Sequence, residues 1–155
     1  MGLKNYKFQN TITRIIVYPS QYFSNSSKRH HLGEYNPRLK TLVFSADDLK
    51  EGYKIPNDNI NLGIHEVAHA LLFEYNSRAN WQSKKFSVGL KKLRTLYNDK
   101  DFKQRITTST HIRAYGKTNF VEFFAVLLES FYENSDGLKQ EFPKIHFYLS
   151  KMLNV

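Results

Sequence analysis

Apolar positions follow two regimes along the chain. Up to about residue 55 they come as short β-branched and aromatic runs; from about residue 56 they recur at helical spacing. Residues 11–18 (TITRIIVY) predict a strand that Pro19 stops, and residues 39–44 (LKTLVF) predict a second. Between them, residues 24–37 are polar and hold Gly33, Asn36 and Pro37, which predicts a loop or ragged hairpin connection. Ser45 followed by Asp48 makes a capping-type start for a short helix over residues 46–51.

Further on, Asn57, Asp58 and Asn59 offer N-cap groups after Pro56, and Ile60, Ile64, Val67 and Leu71 form one buried stripe of a helix over about 58–76. Phe86, Leu90, Leu93 and Tyr97 make a second stripe. Asn119 caps a third helix over about 120–133, Ser135 or Asp136 caps the next turn, and Pro143 suits the first turn of a last helix to about Leu153. A small sheet followed by helices is an α+β pattern. The expectation is one domain over residues 1–155, β-rich over about 10–55 and helical over about 56–155.

Composition narrows the chemistry. With 41% hydrophobic and 15% aromatic residues, the 155-residue chain can build a core without staples. It has no cysteine, which excludes disulfides and thiolate metal sites and fits a reducing compartment. No apolar run approaches the ~20 residues of a membrane helix. Residues 1–8 lack the apolar core of a signal peptide, so a cytoplasmic location is expected. Residues 84–117 carry ten Lys or Arg against Asp99 and Asp101, or +8, whereas the remaining thirteen basic and twelve acidic residues leave +1. Such a field attracts acidic partners, or else it is a solvated helix face.

His65-Glu66-Val67-Ala68-His69 carries the chemistry. Positions i and i+4 lie one turn apart on one helix face, so both imidazoles can reach a single ion. Glu66 then points beside that ion, where a general base for water belongs. The two histidines lie off the Ile60/Ile64/Val67/Leu71 stripe and face a different neighbour. A catalytic zinc site needs a third protein ligand, and without cysteine it must be a carboxylate or histidine. Glu122, amid Phe120, Phe123 and Phe124, is the leading candidate, although a glutamate in a helix's first turn is also favoured by the macrodipole. Glu129, two turns on, is the reserve.

The segments HEVAHAL and RAYGKTNFVEFFAVLLESFY, with IIVYPSQYF and LVFSADDLKEG upstream, resemble the Mlc titration factor family of bacterial metallopeptidases. The second segment is also similar to the catalytic domain of anthrax lethal factor. The likeness covers about residues 12–149. It implies a zincin-like fold of the gluzincin type, one zinc per chain on His65, His69 and Glu122, Glu66 as general base, and Tyr115 as donor to the developing oxyanion. It also implies a peptide or protein substrate, an edge strand at residues 39–44 that pairs with it, and a transcriptional regulator as a partner. The basic stretch suggests that substrate or partner surfaces are acidic.

This sequence departs from the family pattern in three ways. Leu72 stands where the family usually has an aspartate three residues after the second histidine, a job left vacant or moved to Glu74. Phe120 replaces the proline in the asparagine-proline-alanine-glutamate run. The family's extra N-terminal helices are not seen.

Two other readings follow from the residues. A binding or regulatory protein could keep the zincin scaffold with little or no peptidase activity. A basic nucleic-acid binder could carry a chance HExxH, but no recognisable nucleic-acid motif supports it, and neither nucleic acid nor a membrane is expected as partner. His111, one turn before Tyr115, is either a cleft residue or an ordinary surface or core histidine. His30, His31 and His146 read as structural or solvent-exposed.

Overall fold

The computed structural model describes residues 8, 11–25, 28–76 and 80–154. Residues 1–7, on which the leader argument largely rests, lie outside them. The β part comes first: β1 (Arg14–Tyr18), β2 (Tyr22–Ser24), β3 (Arg29–His31), β4 (Gly33–Asn36) and β5 (Thr41–Ser45). Helices follow: α1 (Ala46–Glu51), α2 (Leu62–Asn76), α3 (Trp81–Asn98), α4 (Lys100–Thr108), a 3₁₀ turn (Ala114–Lys117), α5 (Phe120–Glu133), α6 (Ser135–Glu141) and α7 (Pro143–Leu153). This is the α+β, zincin-like arrangement that the sequence predicts.

The polar connection over 24–37 is more ordered than its composition suggests. It holds β3 and β4, and β2 pairs with β3 as a small antiparallel ribbon. These strands are three or four residues long, too short for alternation to register in sequence.

The main sheet runs β1-β5-β4, with β5 parallel to β1 and antiparallel to β4. The strand expected at residues 39–44 is therefore central and cannot act as an edge. Its burial on both sides follows from that position: Thr41, Leu42, Phe44 and Ser45 are all buried. The free edge facing α2 belongs to β4. Gly33 lets the strand approach the helix closely, because a Cβ there would come within 2.7 Å of Leu62 Cδ1 and 3.1 Å of Glu66 Cγ and both side chains would have to give way.

Tyr35, Leu42 and Phe44 of the sheet pack on Ala70 of α2. The larger core lies on the other side of α2, where α5 is buried from Phe123 to Phe131, its apolar side chains packed in the core and Glu122, Glu129 and Glu133 aligned on one face. Ile60, placed on the stripe by sequence, is exposed, because α2 begins only at Leu62. Its start is held by Asn61, whose Oδ1 accepts from Ile64 N–H at 3.0 Å, rather than by residues 57–59. Asn134, not Ser135 or Asp136, caps α6 by accepting from Gly137 N–H. Asn119 caps α5 as predicted, accepting from Val121 and Glu122 N–H. No helix among the described residues is long and apolar enough to cross a membrane.

Candidate metal centre and cleft

Two helices and one turn build the site. On α2, His65 and His69 stand one turn apart with ring centroids 4.8 Å from each other and planes nearly perpendicular. α5 crosses α2 and delivers Glu122 from its first turn, directly after the Asn119 cap. One carboxylate oxygen, Glu122 Oε2, lies 3.1 Å from His65 Nε2 and 3.5 Å from His69 Nε2. The three ligand atoms all fall within 4.8 Å of one another, a group able to hold a metal ion. Glu129 is not in that group. It lies behind it, fully buried, and its Oε1 accepts from His65 Nδ1 at 2.6 Å. That contact fixes which ring nitrogen faces the centre, as a carboxylate behind a metal-binding histidine does.

Glu129 is itself anchored by two groups that sequence reasoning missed. Arg113 donates Nη2–H to Glu129 Oε1 at 2.5 Å, and the backbone N–H of Asn61 donates to Oε2 at 2.8 Å. Arg113 stands two residues before Tyr115, inside a basic stretch where nothing distinguishes it from its neighbours. Asn61 reads as one more polar loop residue. Only the crossing of α2 and α5 gives either a role.

Glu66 is buried beside the two rings, and its Oε2 accepts from the Tyr35 N–H of β4 at 2.8 Å. Burial pushes its carboxyl above the usual range, against the opposing pull of His69 and His65. Tyr115, at the 3₁₀ turn and half exposed, places its ring 5.5 Å from that of His65. Burial and the neighbouring carboxylates raise its phenol, so it stays a donor at neutral pH.

The charges explain why these groups suit a divalent cation. Glu66, Glu122 and Glu129 converge with one guanidinium, Arg113, an excess of two negative charges in a partly dry space. Without metal, protons must supply the balance. Burial lowers the His65 pKa, but hydrogen bonds to Glu122 and Glu129 more than reverse this and raise it to about 9. Burial raises Glu122, yet His65 and His69 bring it down to about 2.

The sign follows for metal-free protein. The His65 contribution to stability is complete below its ordinary 6.5 and is lost as pH rises through about 9. The Glu122 contribution is complete above 4.5 and is lost as pH falls through about 2. The raised Glu66 acts in the same direction as His65. Chelator-treated protein should therefore melt at progressively lower temperature from pH 6.5 to 9.5, and added zinc should remove that trend. A flat or rising melting curve for the metal-free form over this range would contradict the assignment.

The second imidazole is less well supported. His69 Nδ1 is buried and has no hydrogen-bond partner among the described residues. Leu72 packs on the helical core and lines a hollow of about 290 Å³ beside His69. Glu74, although buried, does not take the ring nitrogen over.

On the other flank opens a cleft of about 490 Å³, lined by His65, Glu66, Tyr115, Arg113 and the Gly33 edge of β4. His30 and His31, read from sequence as structural or exposed, line it as well. His111 does not line it. It bonds Ser130 through Nε2, and burial lowers its pKa. Of the ten basic residues in 84–117, only Arg113 lines the cleft, so the positive field is centred elsewhere.

Neither curated proteins nor solved structures gave a match to this chain. The model of the glucose-regulated metallo-peptidase M90 family matches residues 1–153, nearly the whole sequence. That match shows the family: the chain belongs to the glucose-regulated metallo-peptidases M90.

Proposed function

We propose that this chain is a zinc-dependent peptidase in which His65, His69 and Glu122 hold one ion and Glu66 is the general base. The observation that carries the reading is the convergence of three ligand atoms within 4.8 Å, with a buried glutamate beside them. When bound, zinc acts as a Lewis acid that makes water nucleophilic near neutral pH.

The chain's own residues do the rest. Glu66 takes the proton of the attacking water and delivers it to the leaving amine. Tyr35 N–H pins Glu66 Oε2, which leaves Oε1 for the proton. Tyr115 donates its phenol hydrogen to the oxyanion, a charge that appears only as the carbonyl is attacked. The substrate lies extended along β4, not β5. Tyr35 directs its N–H away from β5, so Gly33, two residues earlier, offers its peptide groups on the same outer edge.

A quenched fluorescent peptide library tests this reading. The protein should cleave it, chelator should stop cleavage, and one equivalent of zinc should restore it. In the same assay Tyr115→Phe should lower kcat about 10²-fold with KM little changed. Cleavage that survives exhaustive chelation would refute the zinc mechanism.

The unpartnered His69 Nδ1 supports a second reading, a scaffold kept for binding with little catalysis. Failure to cleave, with zinc retained, would favour it.

A further inference from the structure

A strongly positive surface lies on α3 and α7, which contribute no residue to the metal centre. α3 carries Lys84, Lys85, Lys91, Lys92 and Arg94 and no acidic residue; α7 carries Lys144 and Lys151 and likewise none. Between the two helices is a hollow of about 380 Å³ with no acidic residue among the described residues that line it. Its apolar walls include Trp81, Val88 and Phe147, which are 77%, 62% and 55% exposed. Lys84, Lys92 and Lys151 also line it, and the Lys151 ammonium sits 5.6 Å from the centre of the Phe147 ring. The floor is closed: a Cβ on Gly89 would meet Met152 Cγ at 1.9 Å, so α3 and α7 touch there.

An exposed indole beside an exposed phenyl ring is costly to leave in water, and large apolar patches mark binding surfaces. The lysines select the sign of the occupant. The shape selects its kind. A bilayer is engaged by apolar side chains that project from a convex face, whereas here they flank an open recess floored by the Gly89–Met152 contact, a shape that can take a side chain of a polypeptide. We propose that the α3–α7 hollow docks an acidic polypeptide segment, seating one aromatic or leucine side chain between Trp81 and Phe147 while flanking carboxylates meet Lys84, Lys92 and Lys151. This docking is independent of the peptidase reading and would hold for a catalytically silent protein. It also explains why the basic stretch contributes almost nothing to the cleft.

Trp81 is the only tryptophan, so it reports on its own site. The intact protein is panned against a random-peptide phage library, with counter-selection on a Lys84→Glu, Lys92→Glu, Lys151→Glu variant. Selected sequences should carry an aromatic or leucine residue flanked by Asp or Glu. A tryptophan-free synthetic version should shift Trp81 emission to shorter wavelength, saturably, and more weakly as salt rises. The triple variant, and separately Phe147→Ser, should lose at least tenfold in affinity with melting temperature and peptide cleavage unchanged. The proposal is overturned by a selection that yields no groove-dependent peptide, or by a consensus without acidic residues. A Trp81 shift caused by phosphatidylserine vesicles and by no selected peptide would overturn it too, in favour of a membrane surface.

Discussion

Glu66→Gln should lower kcat/KM for peptide cleavage by about 10²–10⁴-fold while leaving one zinc per chain. That range corresponds to about 3–5 kcal/mol of transition-state stabilisation. The substitution is nearly isosteric, and an amide oxygen can still accept from Tyr35 N–H, the contact that positions the side chain at 2.8 Å. What it removes is the ability to hold and pass on a proton. It also removes one of three crowded carboxylates, so the folded protein should be no less stable than wild type. Catalysis and folding therefore separate cleanly in this variant, by peptide turnover, metal content and a thermal melt. Unchanged turnover would remove Glu66 from the mechanism. Unchanged biological function with turnover abolished would show that the scaffold acts by binding.

Sequence carried the local features of this site and missed those made by crossing elements. The HExxH helix, the Asn119 cap and Glu122 in the first turn of α5 depend on neighbours within a few residues, so spacing reveals them. Glu129 could be placed on the same helix face, but periodicity cannot tell which of the two carboxylates meets which nitrogen of His65. That distinction depends on the tilt of α5 across α2, which puts Glu122 at the Nε2 side of His65 and Glu129 at its Nδ1 side. Arg113, Asn61 and the Tyr35 N–H come from three other segments and have no local signature. The misplacement of β5 has a similar origin. Its apolar run predicts a strand correctly, but the strand's place in the sheet is fixed by β4, four residues of ordinary polarity. Continuous burial along β5 would have been the clue, because a central strand lacks clean alternation.

Glu122→Ala should abolish metal retention, and Glu129→Gln should only weaken it. Glu122 Oε2 stands between both imidazole Nε2 atoms and is the only carboxylate in the three-atom group. Its loss leaves two ligands, too few for a stable catalytic site. The alanine variant should come out of dialysis without zinc and without activity, yet folded, because Glu122 is partly exposed and Asn119 still caps the helix. Glu129 acts one step back. Glutamine there keeps one acceptor oxygen, enough for the Asn61 N–H or for His65 and Arg113 but not for both, and it loses the charge that Arg113 and the ring share. Zinc affinity should then fall about 10–100-fold, as when a group behind a ligand is altered. Stability should fall by about 1–3 kcal/mol, since a buried charge-assisted network loses one of its two acceptor oxygens. Competition with a chelator of known affinity reads both effects on one scale. The reverse ranking, with zinc retained in Glu122→Ala and lost in Glu129→Gln, would exchange the two residues. Equal retention in both would mean that α5 holds the helices together but not the metal.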